Sequence, residues 1–273
     1  MKKNSSYFIV MLLSAISLTS CLDGGGNVSS YAGLGVIDIG SKSFVTVLKT
    51  TGGEIYTPEI SSMVSKGDLR IGDCLCLYYK VDFDLAENSN SVVATNGYYT
   101  ASLNGYQKFD KNYLNYSFTD TTGLQMNEVA VSNPFYTDYG GINGFYSRYM
   151  YITHVVSQPE DLTLSWDLSY DSETMMPTEV DGKRYYDLFV RATKTNESSK
   201  TTNVTFPYYI AYDMRDYLST AAALEKEALG GSYNTMSTFT IRINYASAIN
   251  GDVITWSSKE WSPYISLFLS DGK

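Results

Sequence analysis

The chain is poor in the residues that most catalytic and metal chemistry needs. It has one histidine, His154, and three cysteines in 273 residues. A single imidazole excludes sites built on two, and once Cys21 is set aside as the residue that ends the N-terminal apolar segment, two cysteines and one histidine fall short of a four-ligand structural zinc set. Positive charge is scarce as well. Lys and Arg number 20 against 29 Asp and Glu, for a net charge of −9. With no run of Lys or Arg, the electrostatic footprint of a nucleic-acid binder is missing, so no nucleic-acid partner is expected. Proline is limited to 6 residues against 21 glycines, which excludes Pro-rich and collagen-like classes. No apolar run after the N-terminal segment reaches the roughly 20 residues of a membrane-spanning helix. No Gly-x-Ser-x-Gly elbow and no P-loop occurs, and Leu34-Gly35-Val36-Ile37-Asp38 lacks the further glycines of a dinucleotide site.

What is abundant is tyrosine, at 25 residues. The hydrophobic fraction of 44% and charged fraction of 18% describe a globular chain. At about 150 residues per domain, the length fits two domains.

Residues 1–20 read as a secretory signal, with Lys2 and Lys3 ahead of an apolar stretch from Tyr7 to Leu18. The stretch ends in Leu18-Thr19-Ser20-Cys21, which has the form of a bacterial lipobox. Cys21 is therefore the expected lipidation site, and the mature chain would be held to a membrane by its acyl chains. Cleavage removes two positive charges and leaves the chain more acidic. Leu22 to Ser30 is rich in Gly and Ser and reads as a flexible tether, taken here as 21–32.

Cys74 and Cys76 sit two apart in a strand-like run. Residues i and i+2 of a strand share a face about 6.5–7 Å apart, too far for a comfortable disulfide. They read as small buried apolar residues.

Strand signals dominate the remainder. Val36 to Ile39, Phe44 to Leu48 and Ile55 to Pro58 are short β-branched or aromatic runs separated by glycine turns. From Leu75 the alternation is long, with Leu75, Leu77, Tyr79, Val81, Phe83 and Leu85 on one face. Tyr98 to Leu103 supplies one more strand. Five short strands at this spacing predict a small OB-like barrel over 33–110. Residues 87–96 are polar and turn-rich. In the second half, Leu162, Leu164, Trp166, Leu168 and Tyr170 alternate with polar residues, as in a half-buried antiparallel strand. Val180-Asp181-Gly182-Lys183 reads as a hairpin turn. Further strands at 149–156, 185–193, 204–212, 239–245, 253–256 and 264–269 predict a β-sandwich over 111–273. One helix is expected at 214–229, with Asp213 as N-cap and Gly230-Gly231 as its stop.

These pieces resemble the NigD-like lipoproteins of oral and gut anaerobes. The likeness rests on the lipobox Cys21, the short tether, Gly53-Glu54-Ile55-Tyr56-Thr57-Pro58, Ile71-Gly72-Asp73 and Tyr79-Lys80-Val81-Asp82-Phe83-Asp84. It implies an N-terminal OB-type domain followed by a C-terminal β-sandwich. The chain departs from that pattern in its tether, where Asp23 stands in place of several acidic residues. The resemblance carries over no functional residues.

The chemistry left open is limited. His154 shares a strand face with Met150, Ile152 and Val156 and reads as a core histidine, not the base of a Ser-His-Asp triad. The adjacent pairs Asp82/Asp84, Glu160/Asp161 and Glu225/Glu227 read as surface charge, although paired carboxylates can drive glycoside hydrolysis. Rigid, amphipathic aromatics suit sugar stacking, and Tyr136, Tyr139, Tyr146, Trp256 and Trp261 are the candidates for ligand stacking. The expectation is a non-enzymatic binding or accessory module anchored in the outer membrane, on its periplasmic or surface face, with a protein or glycan partner. No metal or cofactor is expected. The alternatives are a glycan-binding lipoprotein of a polysaccharide-uptake system and a carboxylate-based hydrolase.

Overall fold

The computed structural model describes residues 26–116, 123–131, 144–171 and 176–269. The chain divides into two compact units, Met1–Lys111 with Gly144–Tyr146, and Asn112–Asn143 with Ser147–Lys273.

The first unit begins with a three-stranded antiparallel meander. Its strands are β1 (Val28–Ile39), β2 (Thr46–Thr50) and β3 (Gly53–Tyr56). Helix α1 (Pro58–Lys66) follows, and β4 (Cys74–Asp82) returns to pair antiparallel with β1. A 3-10 turn and helix α2 (Asn90–Asn96) lead to β5 (Tyr98–Thr100) and β6 (Ser102–Tyr113). Strand β5 runs parallel to β3, and β6 pairs antiparallel with β4. The ladder does not close into a barrel. Within this unit, β5 and β6 are consecutive in the chain and joined at Ala101, whose N–H donates to Tyr56 O at 2.9 Å. This is the partly open Greek-key arrangement of an OB domain.

The core of this unit lies on one face of β1 and β4. In register, Tyr31 faces Tyr79, Gly33 faces Leu77 and Gly35 faces Leu75. Leu75, Leu77, Tyr79 and Val81 are buried with Ile37, Leu48 and Ile55, and Ile60 of α1 joins them. Each large apolar side chain so buried contributes about 1.5–3 kcal/mol. Leu85, expected on the same face, is exposed and lies beyond the end of β4. Both thiols, Cys74 and Cys76, are buried, and burial raises the Cys76 pKa to about 11.

Two features differ from the sequence expectation. Val28, Ser29 and Ser30, assigned to the tether, are strand residues paired with Asp82, Val81 and Lys80. The segment after Tyr56 turns into α1. Thr57 caps it by accepting the Ile60 N–H at 3.2 Å, Pro58 occupies the first turn, and Gly67 ends it at φ 84°.

The second unit contains short β7 (Asn115–Tyr116) and β8 (Glu128–Val129). Strand β9 (Gly144–Tyr146) follows in the chain but groups with the first unit. Next come β10 (Tyr149–Pro159), β11 (Leu164–Tyr170), β12 (Thr178–Val180), β13 (Lys183–Lys194) and β14 (Asn203–Asp213). Helix α3 (Arg215–Leu229), β15 (Ile241–Asn250) and β16 (Val253–Trp261) complete it. Strands β10 and β14 form one antiparallel ladder. The order β16-β15-β13-β11-β7 forms the other sheet, with β13 and β15 parallel. The predicted hairpin turn joins β12 to β13, and Asp181 and Gly182 both have positive φ, at 51° and 75°. This is the backbone of a two-residue hairpin loop.

The two sheets of this unit meet through buried aromatics. His154 of β10 stacks on Trp166 of β11, with centroids 4.0 Å apart, and its Nε2 lies 3.0 Å from the Tyr212 hydroxyl of β14. Helix α3 turns Tyr217, Leu218, Ala221, Ala222 and Glu225 inward. Its N-cap position is Met214, one residue later than expected. The Asp213 carboxylate reaches the Arg215 N–H at 3.3 Å and also pairs with Arg148 at 3.1 Å.

Candidate functional site

The candidate site is a cavity of about 240 Å³ inside the first unit. Its aromatic walls come from three strands or strand ends. Tyr31 of β1 and Tyr79 of β4 are cross-strand partners whose rings stack at 5.5 Å. Phe83, just past β4, meets Tyr99 of β5 edge to face at 5.7 Å. Ile55 and Val81 supply apolar lining, and Gly33 also lines the cavity. Thr50, Thr51 and Gly52, at the β2–β3 turn, form the polar rim. Thr50 Oγ1 is engaged in that turn, donating to Gly53 O at 2.9 Å and accepting the Gly52 N–H at 3.1 Å.

Every lining residue is uncharged. Burial, and then the neighbouring Tyr31, raise the Tyr79 pKa to about 12, so this phenol stays protonated across the physiological range. The cavity thus offers aromatic walls, an apolar floor and neutral hydroxyls. Such a lining can hold a small neutral ligand but has no acid–base pair working near neutral pH.

A second cavity, of about 180 Å³, lies in the second unit at the start of α3. Arg148, Asp213, Arg215, Asp216 and Tyr217 are among its lining residues. Asp213 is held there by the Arg148 ion pair.

The sequence candidates fall elsewhere. Cys21, Tyr136 and Tyr139 lie outside the described residues. Tyr146 is half-buried on β9, and its hydroxyl pKa is raised by burial and by the carboxylates of Asp38 and Glu54. Trp256 is half-buried on β16. It packs edge to face on Phe189 at 5.4 Å, with the Arg191 guanidinium 5.1 Å from its centroid. Trp261 lies five residues further along the same strand and therefore on its other face. None of the three lines either cavity. The aromatics that do line the first cavity are Tyr31, Tyr79, Phe83 and Tyr99. Tyr79 and Phe83 were signalled by the inward alternation that begins at Leu75, which reads equally as core, whereas Tyr99 lay in a separate short strand and Tyr31 in the expected tether.

Of the six carboxylates in the adjacent pairs, five have hydrogen-bond or ion-pair partners among the described residues, and Glu225, read from the sequence as surface charge, is buried. Asp82 accepts the Asp84 N–H at 3.0 Å, and Asp84 accepts the Asn27 N–H at 2.9 Å. Glu160 pairs with Lys200, and Asp161 accepts the Ser199 N–H at 2.9 Å. Glu225 is buried and accepts from Arg184 at 2.7 Å and Tyr186 at 3.0 Å. The Asp167 pKa is raised by burial, but Asp167 lines neither cavity. Among the described residues, no group of three or more His, Cys, Asp or Glu side chains is placed to hold a metal ion. Among them, too, no helix is long and apolar enough to cross a membrane.

Comparison with known proteins agrees with this architecture. No curated protein matches the chain at a significant level. An uncharacterized protein from Parabacteroides merdae is 26% identical, with a TM-score of 0.64 over 86% of this chain and 98% of its own. A candidate lipoprotein from Bacteroides fragilis shares 10% identity and a TM-score of 0.51, covering 86% and 98% of the two chains. A NigD-like immunity protein from Bacteroides caccae is 11% identical at a TM-score of 0.42, covering 88% of this chain and 100% of that one. Residues 25–107 match the family model described as the lipoprotein OB domain, so the first unit is a lipoprotein-type OB domain, as the NigD-like resemblance implied.

Proposed function

We propose that the chain is a lipoprotein of the bacterial cell envelope, anchored in the outer membrane through Cys21, that binds a ligand without transforming it. The observation that carries this reading is the cavity of the OB domain, whose lining is aromatic, apolar and uncharged. A ligand there meets ring faces and hydroxyls, and no group able to exchange a proton at neutral pH. The lipoprotein OB match supports a membrane-held chain, and the lipobox supplies the means.

A glycan ligand is the favoured form of this reading, because tyrosine rings pack well on the apolar faces of sugars while their hydroxyls bond to sugar hydroxyls. The decisive experiment exposes the mature protein to a glycan array alongside peptide and glycosidase-substrate panels. Saturable binding that is lost in Tyr31→Ala and Tyr99→Ala, with no turnover, is the expected result. Reproducible hydrolysis abolished by a single Asp or Glu substitution would overturn the binding role in favour of a carboxylate hydrolase.

A further inference from the structure

Two glycines, Gly33 and Gly35, sit on the core-facing side of β1, a strand flanked by β2 and β4. Glycine in the middle of a strand is unfavourable, since it loses more chain entropy on folding and buries no side chain. Each therefore calls for a reason, and the two reasons differ.

Gly35 is required by packing. A Cβ at that position would lie 2.4 Å from Lys49 O and 2.9 Å from Leu48 Cγ, so β2 comes too close for any side chain. Gly33 meets no such obstacle. A Cβ there would find Thr50 Cγ2 at 3.6 Å and Tyr79 Cε1 at 3.8 Å, ordinary contact distances. Its backbone is not in the left-handed region either. Neither the backbone nor the neighbours demand glycine. What the missing side chain does is leave open the space that Tyr31, Tyr79, Ile55, Val81 and Tyr99 surround.

Resting on the binding role above, we propose that Gly33 is the specificity-determining residue of the OB cavity, leaving room for one uncharged ring, a pyranose in particular. The volume of about 240 Å³ is below the roughly 300–1,000 Å³ of drug-sized pockets, which fits a single ring better than a longer ligand. The absence of any ionic side chain in the lining penalises a charged ring, which would lose its hydration without gaining a counter-charge. The protonated Tyr79 hydroxyl and the Thr51 rim offer donors and acceptors suited to ring hydroxyls.

The test uses the mature soluble chain, three variants and four classes of ring compound. Thermal unfolding comes first, on Gly33→Ala, Gly33→Val and Gly35→Ala. Gly33→Ala should melt at or above the wild type, whereas Gly35→Ala should melt several degrees lower. If Gly33→Ala is as damaging as Gly35→Ala, the glycine is structural and the proposal falls. Binding is then read from the amide resonances of Gly33, Thr51 and Gly52 during titration with neutral methyl pyranosides, neutral phenols, and carboxylate and ammonium ring compounds. Methyl pyranosides should shift these amides, with affinity reduced at least tenfold in Gly33→Ala and lost in Gly33→Val. Should charged rings bind better, or Gly33→Ala bind as the wild type does, this inference is overturned while the binding role stands. If no compound moves those amides, but the glycan array finds a ligand elsewhere on the chain, the cavity itself is excluded as the site. If neither method finds a ligand, the binding role fails with it.

Discussion

The imidazole of His154 lies flat against the indole of Trp166, with ring centroids 4.0 Å apart and planes 5° from parallel. The pair joins the two sheets of the second unit, and Trp166 is 4% exposed. Tyr208 tilts against the Trp166 ring at 5.6 Å. Trp166→Ala should therefore cost about 3–5 kcal/mol in urea unfolding. Trp166→Phe should cost clearly less, because it keeps a ring on His154 and removes an indole N–H that has no hydrogen-bond partner among the described residues. A loss below about 1 kcal/mol for the alanine variant would show that this face is not core.

Arg191 and Glu128 form an ion pair at 2.5 Å with side chains 1% and 0% exposed. The pair holds β8 against β13. Removing one partner strands a charge away from water. Glu128→Ala should destabilise the protein by about 3–5 kcal/mol, and Glu128→Leu combined with Arg191→Met should cost less than the sum of the two single changes. A double-mutant cycle by chemical denaturation measures the difference, and strict additivity would contradict it.

Two carboxylates of the same sheet respond to pH with opposite signs. Burial raises the Asp187 carboxyl, but hydrogen bonds from Arg242, Asn244 and Thr178 outweigh it and leave its pKa lowered. Its contribution is present above the ordinary Asp value of about 4 and is lost as pH falls through the lower folded-state value. Burial raises Asp167, against weaker opposing effects from Asn115 and Arg191. The folded protein then holds the Asp167 proton longer than the unfolded chain does, so ionising it works against folding at neutral pH. Asp187→Asn should lower the melting temperature at pH 7 and converge with the wild type near pH 2–3. Asp167→Asn should lose least, or gain, at pH 7. Melting curves across pH 2–7 check both signs.

Lipidation is expected at Cys21. Metabolic labelling with an alkyne fatty acid should mark the wild type and leave Cys21→Ala unlabelled. Equal labelling of the two would remove the anchor from the functional reading.

Long alternation and turn chemistry made much of the fold readable. The inward series from Leu75 to Val81 and from Leu164 to Tyr170 appears as buried strand residues, and Asp181-Gly182 forms the expected turn. The α1 helix escaped because Ile55 to Pro58 reads as a β-run. Its signals were Thr57-Pro58-Glu59 at the start and Gly67 at the end, and they are capping signals, not periodic ones. Helix α2 buries no residue, so it has no apolar stripe to detect. The cavity was the least legible part. It depends on Tyr31 meeting Tyr79 across two strands, and Tyr31 looked like tether. It also depends on a side chain that Gly33 does not have, and nothing in an isolated sequence separates that glycine from Gly35.

Tyr99 reaches the cavity only when β5 has paired with β3, across a stretch of chain that includes α1, β4 and α2. Pairings between segments so distant along the chain are slow to form, because the loop between them must be ordered before any contact repays it. A nascent chain with its β1–β2–β3 meander already in place would still lack one wall of the cavity. Ligand capture would thus begin only when the domain has finished folding, and a ligand present during refolding should leave the rate of the early steps unchanged while holding the completed domain shut against reopening.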